Sequence, residues 1–136
     1  LRKKMEAGAD YFITQPIYNR QQIIDVYEAT KDLGAPIYIG IMPLTSTQNA
    51  EFLHNEVPGI KLTDDVRKRM AATDGNRALS TSEGLKIAEE LVDVALELFH
   101  GIYLVTPFTR YDMTVHLTKY IHEKVEQLEK QTISVL

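Results

Sequence analysis

Apolar residues fall into three short runs separated by longer stretches with helical spacing. The run Tyr11-Phe12-Ile13-Thr14 leads to Gln15-Pro16. Its aromatic and β-branched content predicts a buried strand, and Pro16, which cannot donate to a ladder, marks the end. Pro36-Ile37-Tyr38-Ile39-Gly40-Ile41 reads as a second strand that leaves through Met42-Pro43-Leu44, and Ile102-Tyr103-Leu104-Val105-Thr106 as a third, closed by Pro107. Between them, Ile23, Ile24, Tyr27 and Leu33 outline one helix face, and Ile87, Leu91, Ala95 and Leu98 another. Met113, Leu117, Ile121, Val125 and Leu128 outline the last.

Local signals punctuate this pattern. An opening helix is expected to end at Ala7, with Gly8 as its left-handed stop. Asn19 with Gln22, Thr45 with Gln48 and Ser80 with Glu83 each have capping-box spacing and predict helix starts. The second of these helices should reach about Asn55. Gly34 and Pro36 end the first, and Val57-Pro58-Gly59 is a breaker cluster. Thr63 caps a short helix with Asp64 and Asp65 in its first turn, where they favour the helix dipole. Thr73-Asp74-Gly75-Asn76 reads as a polar turn, and Gly101 as the end of the long helix. Residues 131–136 are expected to fray, leaving one domain over 1–130.

The predicted order is helix, strand, helix, strand, several helices, strand, helix. Short apolar strands alternating with helices require parallel pairing with both sheet faces covered. A doubly wound dinucleotide fold should show a glycine-rich turn after a strand. The strands end instead in Gln-Pro, Gly-Ile-Met-Pro and Thr-Pro-Phe-Thr-Arg. Such ends fit a (β/α)8 barrel, whose site lies on the loops after its strands. Three strands make this an α/β chain forming part of a TIM barrel. Leu1 and the helix already under way beside it suggest a piece of a longer chain.

Composition narrows the partners. The chain has 136 residues and a formal net charge of -4, with 44% hydrophobic and 25% charged residues. That is ordinary for a globular domain, and without a basic block a nucleic-acid surface is not expected. No apolar run approaches a membrane span and no signal peptide is evident. Cysteine is absent, which excludes disulfides and thiolate metal sites and is compatible with a cytoplasmic location. His54, His100, His116 and His122 lack ligand spacing. Asp64-Asp65 and Glu89-Glu90 read as helix faces rather than acid–base pairs.

Lys3-Lys4-Met5-Glu6-Ala7-Gly8-Ala9-Asp10, followed by Ile13-Thr14-Gln15, resembles a signature of methylenetetrahydrofolate reductases. So do Gly40-Ile41-Met42-Pro43 and the late strand leading to Arg110. The resemblance runs from Leu1 to roughly Ile121, and is greatest to the reductase portion of bifunctional homocysteine S-methyltransferase/methylenetetrahydrofolate reductase proteins. It implies a barrel holding FAD, reduced by NAD(P)H, that converts 5,10-methylenetetrahydrofolate to 5-methyltetrahydrofolate. The catalytic acid and most flavin contacts would belong to a first half absent here, so no catalytic residue is assigned and the piece alone is expected to be inactive.

The resemblance also implies roles. Gln15 would contact the pterin, since an amide offers both donor and acceptor. Lys3 and Lys4 would lie near the flavin pyrophosphate, Lys4 foremost, although lysines at a helix C-terminus also complement the dipole. Arg110 would lie near the folate, where it could pair with the glutamyl carboxylate. It can equally be read as a surface charge at a helix start, an unfavourable place for a cation. Asn49 would contact folate or be a solvated helix residue. Leu53 stands where many relatives carry an aromatic, and can supply apolar contact but not stacking. Phe108 stands near a tyrosine of several relatives and could cover a ligand.

Two other readings compete. Another flavin barrel, of the proline dehydrogenase type, should show an arginine pair on the last helix, and only Arg110 is present. A non-catalytic, self-associating module is the second. An open strand edge and apolar face would favour a homo-oligomer, most simply a dimer.

Overall fold

The computed structural model describes the backbone of residues 1–135 and the side chains of residues 1–132. The elements are α1 (Arg2–Glu6), β1 (Phe12–Pro16), α2 (Arg20–Thr30), β2 (Ile37–Ile41), α3 (Thr47–Glu56), α4 (Asp64–Ala71), α5 (Arg77–Leu98), β3 (Gly101–Leu104) and α6 (Tyr111–Val135). The strands form one parallel sheet in the order β1-β2-β3. All three expected strands and their parallel pairing are present.

One sheet face carries the core. Ile37, Ile39 and Ile41 on β2 are buried, with Ile102 and Leu104 of β3 packed beside them. The long helix α5 lies against β2 and β3 and also touches α2, α4 and α6. Its buried side is Ile87, Ala88, Leu91, Val92, Val94 and Ala95. Fully burying a Val, Leu or Ile side chain stabilises by about 1.5–3 kcal/mol, so this buried side contributes strongly to holding α5 on the sheet.

The opposite face differs from the sequence expectation. Tyr11, Ile13 and Tyr103 are 61%, 52% and 45% exposed. The register sets Ile13 beside Tyr38, and Gly40 beside Tyr103. Among the described residues no helix covers this side. The strands are apolar on both faces, as read, but this chain supplies a cover for one.

The helix starts also need correction. Thr45 does not cap α3: the N-cap is Ser46, whose Oγ accepts from Asn49 N at 3.0 Å. Ser80 does not start α5. Asn76 caps it, accepting from Leu79 N at 3.1 Å, so the polar turn itself starts the helix. Ser80 is instead buried one turn in, bonded to Thr73 at 2.9 Å. At α2, Asn19 caps through Gln21 N. Leu33 falls beyond that helix, which ends at Thr30. Gly101 opens β3 rather than closing α5, which ends at Leu98. Thr63 caps α4 as expected, accepting from Val66 N at 3.2 Å. The residues expected to fray from Gln131 belong to α6 as far as Val135, and Leu136 lies outside the described residues.

Candidate functional site

Parallel strands place their C-terminal ends on one edge of the sheet. Gln15 near the end of β1, Asn49 in the first turn of α3 and Arg110 just before α6 therefore share that edge. These are three of the seven residues singled out from the sequence.

Gln15 is exposed. Its Nε2 donates to the Pro58 carbonyl at 3.4 Å, a long bond that nevertheless orients the amide. The backbone around it is fixed more firmly. Gly40 N donates to Thr14 Oγ1 at 2.9 Å and Ile17 N donates to Gly40 O at 3.1 Å, across a register irregularity between Ile13 and Pro16.

The segment after β2 is held at three points. The Tyr18 hydroxyl donates to Met42 O at 2.7 Å, and burial pushes that hydroxyl's pKa up, so it stays a donor. Asn49 Oδ1 accepts from Thr45 N at 3.1 Å, so its side chain buttresses the loop. Finally, the Leu44 carbonyl occupies the place a Cβ would take on Gly84 of α5. Leu53 is 6% exposed and belongs to the core. The exposed aromatic on α3 is its neighbour Phe52, at 58%.

Arg110 is not a bare cation at a helix start. Its Nε and Nη2 grip both oxygens of Asp112 at 3.0 Å, and Nη2 also donates to Thr81 Oγ1 on α5 at 3.1 Å. The guanidinium holds the Asp112 carboxyl below its ordinary pKa, chiefly through these hydrogen bonds. Asp112 sits in the first turn of α6, where an anion is favourable, and this resolves the apparent misplacement of the arginine. Nη1 makes no recorded hydrogen bond among the described residues, so it can still face an anion.

Phe108, between β3 and Arg110, is 79% exposed and has φ +52. A bulky residue in that backbone region is strained, and such strain concentrates where the loop has a task. Lys3 and Lys4 are exposed on α1. Their ammonium groups suit phosphate oxygens, so the donor chemistry fits a pyrophosphate.

Other polar clusters are spoken for. Glu90 and Glu83 grip Arg69, with shortest contacts of 2.6 Å each, and Glu89 bonds His116 at 2.8 Å. His54 Nδ1 accepts from Leu62 N at 3.0 Å. Among the described residues no three His, Asp or Glu side chains converge as metal ligands, and no helix is long and apolar enough to cross a membrane. Cavities of about 240 and 490 Å³ lie near Phe99 and His100, past the C-terminal end of α5 rather than beside Gln15.

Comparison with known proteins adds two findings. One solved structure is described as an uncharacterized protein from Clostridium thermocellum that binds two copies of 5-methyl-5,6,7,8-tetrahydrofolic acid. It resembles this chain with a TM-score of 0.54 and 22% identity, over 90% of this chain and 46% of that one. At this identity the likeness concerns the fold alone, and the chain spans less than half of that structure. No curated protein matches. The family model for methylenetetrahydrofolate reductase matches residues 1–128, nearly all of the sequence that forms the sheet and its helices, and on that match the chain belongs to the methylenetetrahydrofolate reductase family.

Proposed function

We propose that this chain forms the folate side of a (β/α)8 barrel that reduces 5,10-methylenetetrahydrofolate to 5-methyltetrahydrofolate. The observation that carries the reading is the exposed Gln15 amide, near the C-terminal end of β1 and beside the Pro58–Gly59 turn, in a chain of this family. The folate binding described for the Clostridium thermocellum protein supports the same substrate class.

In this reading Gln15 presents a donor and an acceptor to the pterin. Arg110 directs Nη1 toward the glutamyl carboxylate while Asp112 and Thr81 fix its plane. Asn49 acts through the loop it braces, and Phe52 and Phe108 supply the aromatic cover that buried Leu53 cannot. Lys3 and Lys4 would hold the pyrophosphate of FAD, with most of the flavin pocket contributed by chain beyond this one. FAD, when bound, supplies hydride transfer from NAD(P)H. No side chain of this segment is assigned proton transfer in this reading. Fusion to a homocysteine S-methyltransferase, a cytoplasmic location and dimerisation complete the proposal.

Gln15→Ala in the intact protein tests it. Loss of a paired amide contact should weaken 5-methyltetrahydrofolate binding about tenfold, equivalent to about 1.4 kcal/mol, with flavin content unchanged. Unchanged folate affinity would rule out the contact.

A further inference from the structure

We infer that the turn Val57–Ile60 sets which way the Gln15 amide points, making Pro58 and Gly59 positioning residues for the ligand edge that Gln15 reads. The inference rests on the role proposed above for Gln15 and adds what controls it.

Ile60 N donates to Val57 O at 3.2 Å, closing a four-residue turn. The Pro58 ring fixes a negative φ, and Gly59 follows with φ +86. A negative then a positive φ is the type II pattern. Type I and type II turns differ by a flip of the central peptide, here the bond between Pro58 and Gly59. The type II form directs the Pro58 carbonyl toward Gln15, where a type I turn would direct the Gly59 N–H.

A carbonyl only accepts, so the amide's NH2 end must face it, as the 3.4 Å contact from Nε2 records. Oε1 then lies against Gly59, where an added Cβ would stand 2.5 Å from it. Nothing else fixes the amide: among the described residues Pro58 O is the recorded hydrogen-bond partner of this side chain. One N–H and the outer lone pair of Oε1 remain, in an order the turn dictates. A ligand edge with an acceptor beside a donor fits only if it matches that order.

The turn is rigid enough for this. Ile60 and Leu62 are 4% and 5% exposed. Leu62 N is held by His54 Nδ1 at 3.0 Å, and Leu62 bridges to Tyr18, three residues beyond Gln15.

The turn can be altered without removing Gln15. In Gly59→Ala the positive φ becomes costly and the new Cβ meets Oε1, the movable end of a flexible side chain, so the amide should turn while the fold persists. Gly34→Ala is the control: Gly34 has φ +77 with nothing within 4 Å of its Cβ position and lies before β2, away from Gln15 near the C-terminal end of β1, giving similar strain without contact to that amide.

The experiment uses intact protein labelled with 15N at glutamine, and 5-methyltetrahydrofolate as the probe ligand. The Gln15 side-chain NH2 resonances should shift in Gly59→Ala and stay in place in Gly34→Ala. Folate affinity should fall about tenfold in Gly59→Ala, and the same change in a Gln15→Ala background should have little further effect, since the turn acts through the amide. Unmoved NH2 resonances, or an undiminished effect of Gly59→Ala when Gln15 is absent, overturn the inference. Should Gln15→Ala alone leave folate affinity unchanged, the contact role falls, and the NH2 resonances still decide whether the turn aims the amide.

Discussion

At the scale of single residues, Phe108 shows most plainly a cost that local packing does not offset. Arg110 N donates to Pro107 O at 2.9 Å, closing a turn in which Phe108 adopts φ +52. Left-handed backbone costs an ordinary residue about 1–2 kcal/mol. A ring that is 79% exposed recovers little of this by burial. Phe108→Gly removes the strain but adds about 0.5–1 kcal/mol of unfolded-state entropy. Thermal unfolding should therefore show a melting temperature unchanged or slightly raised, while 5-methyltetrahydrofolate binding should weaken if the ring covers the ligand as proposed. A large fall in melting temperature would mean that Phe108 serves the fold, and unchanged binding would remove it from the site. The residues here show an aromatic but not its backbone, because phenylalanine disfavours a positive φ and only the path of the loop between β3 and α6 sets it.

At the scale of elements, α6 is joined to α5 through Arg110, which ties Asp112 in its own first turn to Thr81. The Asp112 carboxyl is held below its ordinary 3.8 by the hydrogen bonds and charge of Arg110. A depressed folded-state value stabilises the fold above the unfolded value, and that contribution is lost as pH falls through the folded one. Glu51, held below 4.5 mainly by its hydrogen bonds from Arg67, acts in the same direction. Melting temperatures measured from pH 7 downward should drop below about pH 4. Asp112→Asn should start lower at pH 7 and lose less on acidification, and an identical acid profile would show that the pair contributes nothing. Strands, their parallel pairing and the helix order were legible because they rest on local periodicity. Helix starts were less so: Ser80-x-x-Glu83 has capping-box spacing, yet Asn76 captures the helix four residues earlier and Ser80 becomes buried against Thr73. Gln15 and Arg110 were legible as residues at strand ends. Their partners, Pro58 and Thr81, lie 43 and 29 positions away and depend on the fold.

At the scale of the whole molecule, the sheet is covered by helices on one face and presents Tyr11, Ile13, Tyr38 and Tyr103 on the other. Parallel sheets are almost always buried on both sides, since their strands carry apolar residues on both. With the order β1-β2-β3, the outer edges of β1 and β3 also have no neighbouring strand among the described residues, apart from the single Tyr18–Leu62 bridge beyond β1. Unpaired edges beside an apolar face favour association. The 136-residue chain prepared by itself should therefore scatter light with a mass above 15.5 kDa that rises with concentration. Ile13→Lys places a charge on that face, on the edge strand β1, at a side chain already 52% exposed. It should shift the mass toward the monomer while changing the melting temperature of the monomeric form little. A chain that stays monomeric at high concentration, or an Ile13→Lys variant that associates as strongly as its parent, would show that the open face is not what drives assembly.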